Sequence, residues 1–137
     1  MKRNDVLDFN LNNSDLLREV KYSGISLIQR DGAWNNETEA SISIHLKRDN
    51  KPHLFKLTAE AFVIPGLIDK QHVVIYAEET KTDNKLCEKV FTVPDESIEN
   101  DSLKIRMEFP DAVSPLFLGI GRDDRKRAIF LRSITLM

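Results

Sequence analysis

The residues of this chain whose types and spacing could do chemistry fall mainly in two short segments. The first runs Ser23-Gly24-Ile25-Ser26, then Gln29-Arg30-Asp31-Gly32-Ala33-Trp34-Asn35, and holds the only tryptophan of the sequence beside a glycine turn. The second, Ser114-Pro115-Leu116-Phe117-Leu118-Gly119-Ile120-Gly121-Arg122-Asp123-Asp124-Arg125, is a glycine-rich loop dense in charged donors and acceptors. Trp34, Asn35, Arg122, Asp123 and Arg125 together are the residue types that hold sugars: an aromatic ring packs on the apolar C–H face while planar polar side chains bond the hydroxyls. A tryptophan at a strand entry also serves as a core residue, and the sequence leaves both readings of Trp34 open.

Other chemistries find less support. Nucleophilic catalysis needs a serine or cysteine within reach of a base. No G-x-S-x-G elbow occurs, and Ser23-Gly24-Ile25-Ser26 lacks the second glycine. His45, His53 and His72 stand on or beside the polar faces of different strand-like segments and read as solvated. Asp123-Asp124 offers two carboxylates beside two arginines, where calcium takes about six to eight oxygens. No metal or other cofactor is therefore expected. Cys87 cannot form an internal disulfide and reads as a small core hydrophobe in the strand-like run Lys85–Val93. The chain is expected not to be an enzyme, the competing idea being a small hydrolase or lyase built on a jelly roll.

At 137 residues, the chain is expected to form a single domain over 1–137. Its formal net charge of −2, from 20 basic and 22 acidic residues, gives no field to draw in a polyanion, so nucleic acid is not an expected partner. The basic run Arg122, Arg125, Lys126, Arg127 is broken by Asp123 and Asp124 and reads as a solvated mixed-charge loop. The longest apolar run, Ala61 to Ile68, is interrupted by Pro65-Gly66, so no membrane insertion is expected. Met1-Lys2-Arg3-Asn4-Asp5 leads into acidic and Asn-rich sequence rather than an apolar signal core, so the chain as given reads as soluble and without an export signal. The N-x-[ST] matches at Asn12, Asn36 and Asn100 read as chance.

The elements that must position these residues are strands. Ala40, Ile42, Ile44 and Leu46 alternate with polar residues, as do Leu103, Ile105, Met107 and Phe109. His53–Val63 places Phe55, Leu57, Ala59, Ala61 and Val63 on one face. His72–Glu78 and Lys85–Val93 read as a hairpin joined by the polar connector 79–84. Ala128–Leu136 closes the chain, with Phe130, Ile134 and Leu136 expected on one face; Val6–Leu11 and Tyr22–Ile28 are shorter candidates. Only Ser14–Val20 has helical spacing. Turn chemistry falls at Asp31-Gly32, Asp49-Asn50-Lys51-Pro52, Pro65-Gly66, Pro94-Asp95 and Asp111 to Pro115. The expectation is an all-β, two-sheet antiparallel sandwich of jelly-roll type, with about eight strands and at most one short helix.

The two segments also carry a family resemblance. Ser23-Gly24-Ile25-Ser26, Gly32-Ala33-Trp34 and Ala40, with Ser114-Pro115, Leu118-Gly119, Asp123, Arg125 and the strand Ile129 to Leu136, make the chain similar to one kind of domain. It resembles the C-terminal β-sandwich domain of bacterial phosphoglycerol transferase I and related domains appended to bacterial glycosyltransferases. The resemblance departs at Gln29 (usually Glu), Asn35 (usually Ser), Gly121 (usually Ser) and Arg127-Ala128 (usually Leu-Gly). It implies an accessory, non-catalytic module of envelope or surface-polysaccharide metabolism that binds or positions a glycan. Its implied partners are a glycan and a neighbouring transferase domain. The location would be the bacterial cytoplasm or, for a piece of a longer protein, the periplasm. The alternative is a structural or protein-interaction sandwich, including a homo-oligomer, without a glycan ligand.

Overall fold

The alternation of apolar and polar residues resolves into paired antiparallel strands. The computed structural model describes residues 1–9, 20–26, 28–77, 80–85 and 87–137, with 77 and 80–85 as backbone only. The strands are β1 (Val6–Asp8), β2 (Lys21–Ser23), β3 (Ala33–Trp34), β4 (Glu39–His45), β5 (His53–Ala61), β6 (His72–Ala77), β7 (Thr80–Lys85), β8 (Glu88–Val93), β9 (Ser102–Glu108) and β10 (Ile129–Leu136). One five-stranded sheet has the order β1-β10-β5-β8, with β3 also paired to β10; the other has the order β2-β4-β9-β6-β7. Setting aside the short β2 and β3, the pairs β1–β10, β4–β9, β5–β8 and β6–β7 nest like one long hairpin. The lateral pairs β5–β10 and β6–β9 fold that hairpin over into two sheets, the jelly-roll arrangement.

Each long strand turns one face inward. Ala40, Ile42 and Ile44 of β4 meet Leu103, Ile105 and Met107 of β9 in register, all buried. The opposing sheet contributes Phe55, Leu57 and Ala59 of β5 and Ile129, Leu131, Ile134 and Leu136 of β10. Phe9, Phe55 and Phe109 are among the largest fully buried side chains, each stabilising the fold by roughly 1.5–3 kcal/mol relative to exposure. Phe55 stacks on Phe91 with ring centroids 5.5 Å apart.

Local structure departs from the sequence expectations in several places. Backbone pairing extends through most of the polar connector: Thr80–Lys85 is β7, paired in register with β6 from Ala77↔Thr80 to His72↔Lys85. Antiparallel pairing gives that segment backbone partners whatever its side chains. Cys87 lies between β7 and β8 and is exposed, not in the core. β5 ends at Ala61, before the Pro65-Gly66 turn closed by the Ile64↔Ile68 bridge, so Val63 is exposed. A bulge in β10 between Leu131 and Ser133 inverts the alternation, so Ile129 and Leu131 point inward before it and Ile134 and Leu136 after it. Phe130 therefore does not share a face with Ile134. The candidate helix Ser14–Val20 lies almost wholly outside the described residues, as do the last two residues of the candidate strand Val6–Leu11.

A helix forms instead inside the glycine-rich loop. α1 (Pro115–Leu118) has Ser114 as its N-cap, the hydroxyl accepting from the Phe117 N–H, Pro115 in its first turn, and Gly119 in the left-handed region at its end. No helix among the described residues is long and apolar enough to cross a membrane.

Candidate functional site

The two motif-bearing segments meet at one end of the β3–β10–β5 sheet. Trp34 pairs with Phe130 across β3 and β10, and Phe130 pairs with Glu60 of β5, so these side chains share the outward face. Trp34 is half-buried there: Phe62 meets it edge-on at 5.9 Å, Phe130 lies tilted at 5.1 Å, and the Arg127 guanidinium sits 4.9 Å from the ring centroid. Arg127 is held in turn by Asp123, whose carboxylate accepts from Arg127 Nε at 3.0 Å and from Arg125 Nε at 3.0 Å. Hydrogen bonds from the Arg125 side chain and backbone, then from Arg127, hold the Asp123 carboxyl far below the usual carboxylate range.

Asn35 is 1% exposed and bonds entirely within the protein. Its Oδ1 accepts from the N–H groups of Ala128 and Ile129 at 2.7 and 2.9 Å, and its Nδ2 donates to the carbonyls of Glu37 at 2.9 Å and Lys126 at 3.4 Å. The side chain thus sutures the segment after β3 to the start of β10. Of the five residues singled out in the sequence, Trp34, Asn35, Asp123 and Arg125 converge here through Arg127 and its neighbours. Arg122 is exposed on the loop and, among the described residues, makes no hydrogen bond or ion pair with them.

Two of the motif glycines, Gly24 and Gly32, are explained by close backbone approach. Gly24 has φ +74°, and a Cβ there would lie 2.1 Å from the Glu39 carbonyl oxygen. That contact lets β2 lie against β4 and carries the chain on to Asn36, whose N–H bonds the Gly24 carbonyl at 3.0 Å. Beyond Asp123 the loop projects an apolar knob: Leu116, Phe117 and Ile120 are 53%, 82% and 48% exposed.

A second surface was not evident from sequence. The registers Tyr76↔Arg106, Arg106↔Ser41 and Ser41↔Ser23 align four side chains in one row across β6, β9, β4 and β2. Arg106 lies 4.7 Å over the Tyr76 ring, the Ser23 and Ser41 hydroxyls are 2.8 Å apart, and Glu108 accepts from Tyr76 Oη at 3.4 Å. A shallow depression of about 490 Å³ opens at the Ser23–Ser41–Arg106 end of this row, lined by Ser23, Gly24, Glu37–Ser41, Lys104 and Arg106. Alternation alone put Ser41 and Arg106 on wet faces; only register makes them neighbours of Tyr76.

Two of the three histidines prove to be paired rather than simply solvated. His72 Nδ1 lies 2.5 Å from Asp111 Oδ2 on the surface. His53 is buried, with Nε2 2.9 Å from Asp95 Oδ1 and 3.5 Å from Asp49 Oδ1, and this bond to His53 is the chief cause that lowers the Asp95 carboxyl below its ordinary range. Ligand atoms of Asp49, His53 and Asp95 lie within 4.8 Å of one another, close enough to share a cation. Their lone pairs are already engaged, however: Asp95 Oδ1 also accepts from the Asp49 N–H at 2.9 Å, and Asp49 Oδ1 from the Lys51 N–H at 3.0 Å. The trio acts as a brace holding the β4–β5 loop to the Asp95–Ser97 turn. A histidine–carboxylate pair can orient a general base, and the described residues that line the groove beside His53 include no serine, threonine or cysteine.

Compared with models of known protein families and with curated proteins, the chain matches none.

Proposed function

We propose that the protein is a non-catalytic, carbohydrate-associated module that holds a glycan for a polysaccharide-processing partner. The observation that carries this reading is the row Tyr76–Arg106–Ser41–Ser23 on the solvent face of the β2–β4–β9–β6 sheet. It combines one aromatic body with a planar guanidinium and two serine hydroxyls, and Glu108 beside Tyr76 adds a carboxylate, the division of labour that sugar recognition requires. The row crosses strands about 4.8 Å apart, so it offers contacts over a length that suits an extended chain rather than a single residue. Trp34 supports this reading less directly, because Phe62, Phe130 and Arg127 pack around its ring, while Arg106 covers one face of the Tyr76 ring.

The test is a glycan-array screen over bacterial surface polysaccharides and β-glucans with the purified chain and one double variant. Tyr76→Ala/Arg106→Ala is expected to abolish selective binding while the thermal melt stays cooperative. Binding that survives this double variant, or no binding by the folded wild type, overturns the reading.

A second reading, a protein-interaction module, is favoured by one observation: the projecting Leu116, Phe117 and Ile120 of the α1 loop. Under it, Phe117→Asp reduces self-association or partner binding and leaves any glycan signal intact. Sedimentation of wild type and variant over a concentration series distinguishes the two.

A further inference from the structure

The opposite end of the sandwich holds a groove of about 530 Å³ whose lining is strongly one-sided in charge. Lys2 and Arg3 stand on one wall, Lys47 and Lys51 on the other, with His45 and His53 between them, and Asp49 is the lone carboxylate side chain. That carboxylate is already engaged by the Lys51 N–H and by His53. Elsewhere among the described residues five basic side chains pair with acids: Lys56 with Glu88, Arg106 with Glu108, Arg125 and Arg127 with Asp123, and Arg132 with Glu60. The remaining exposed cations, such as Lys21 and Arg122, are scattered rather than gathered around one concavity. Among the described residues, the side chains of Lys2, Arg3, Lys47 and Lys51 have no such partner. In a chain of net charge −2, four uncompensated cations around one concavity are a local concentration of positive potential.

The walls are built to hold their shape. Arg48, between the two groove lysines, donates to the carbonyls of Ile98 at 2.7 Å and Glu96 at 3.1 Å, and the Leu46 N–H donates to Asp101 at 3.0 Å. The Asp95 brace fixes Asp49 of the β4–β5 loop and His53 at the start of β5. Across the groove, the Lys2–Asp5 turn is closed by the Lys2 N–H to Asp5 Oδ2 bond at 2.8 Å and tied to β10 by Asn4 N–H to Leu136 O at 2.6 Å. The backbone that carries these cations is thus anchored, so a ligand has to order only their side chains.

We infer that this groove is an anion-binding site for a small ligand bearing a phosphate-, sulfate- or carboxylate-type group. Its volume falls in the range of small-molecule sites. The ammonium and guanidinium groups of Lys2, Arg3, Lys47 and Lys51 can donate charge-assisted hydrogen bonds to the oxygens of such a group. The same cations disfavour a metal ion at the Asp49–His53–Asp95 brace. This site is independent of the glycan surface, which lies on another face and uses other residues.

The test is an NMR titration of the full chain with inorganic phosphate, sulfate and glucuronate, each at constant ionic strength, with glucose as the neutral control. Saturable shifts confined to residues 2–5 and 46–53 are expected for at least one anion and none for glucose. The anion that saturates at the lowest concentration identifies the group. Lys47→Ala/Lys51→Ala is expected to weaken binding about tenfold, with fold retained because both side chains are exposed. Linear, non-saturating shifts for every anion, or equal binding by the double variant, overturn the inference. Neither result bears on the Tyr76–Arg106 surface, whose own variants keep Lys47 and Lys51.

Discussion

The two ends of the β3–β10–β5 sheet use charge in opposite ways. At one end, Asp123 joins Arg125 and Arg127, Arg127 covers Trp34, and Asn35 satisfies backbone groups of β10. At the other, Lys2, Arg3, Lys47 and Lys51 surround a groove without partners of their own among the described residues. Ile129 and Leu136 mark these ends, seven residue steps apart along β10, roughly 23 Å at strand spacing. The difference teaches that a concentration of polar motif residues is not by itself a binding site. The end rich in motif residues is consumed by its own fold, whereas the end with unremarkable lysines keeps its chemistry facing solvent.

Mutations that break this comparison should differ most in stability. Asn35→Ala leaves the buried Ala128 and Ile129 N–H groups without their acceptor. It is expected to cost about 3 kcal/mol in urea unfolding, since each orphaned buried donor costs roughly 1–3 kcal/mol. A loss below about 0.5 kcal/mol would show that the suture is dispensable.

Asp123→Asn comes next, with an expected loss of about 1–2 kcal/mol at neutral pH, because Arg127 is largely buried and loses its ionic partner. Its pH dependence has a definite sign. The folded-state carboxyl lies far below the unfolded value of about 3.9, so its stabilisation is complete above that value and is lost as pH falls toward the lowered one. The gap between wild type and variant should therefore be constant from about pH 5 upward and shrink below about pH 4. A gap that does not change on acidification would remove the ion pairs as its cause.

The smallest stability effect is expected at the other end. Lys47→Ala/Lys51→Ala should move the unfolding free energy by less than about 0.5 kcal/mol, as exposed residues without partners usually do. A larger loss would place those lysines in the framework and erase the contrast between the two ends. Salt sharpens the same comparison, because anion binding at the lysines should weaken between low and physiological ionic strength, while the Asn35 suture should be indifferent to it.

Much of the fold was legible in the residues. The alternation in β4 and β9 survives as a fully registered pair with one buried face, and the turns at Asp49-Asn50, Pro65-Gly66 and Pro94-Asp95 stand where Gly, Pro and Asn punctuate the pattern. The short α1 helix was read as loop, although Ser114, Pro115 and Gly119 are a cap, a first-turn proline and a left-handed terminator. The density of glycine and charge around it masks that signal in so short a helix. The phase change in β10 was not legible. A bulge is one extra residue, and Phe130 read in register with Ile134 gives an equally regular pattern. Cys87 misleads for a related reason: a β-rich neighbourhood reads as strand, but the residue falls in the connection between β7 and β8.

By itself, the sequence determined the all-β class and the inward faces of β4, β5 and β9, because these follow from local periodicity. Only the tertiary structure decided which polar residues are available to a ligand. His53 finds Asp95 at a separation of 42 residues, Asn35 finds Ala128 at 93, and Ser23, Ser41, Arg106 and Tyr76 become one row through three strand registers. Those meetings are set by how the sheets pair and fold over, a long-range property that no run of neighbouring residues encodes.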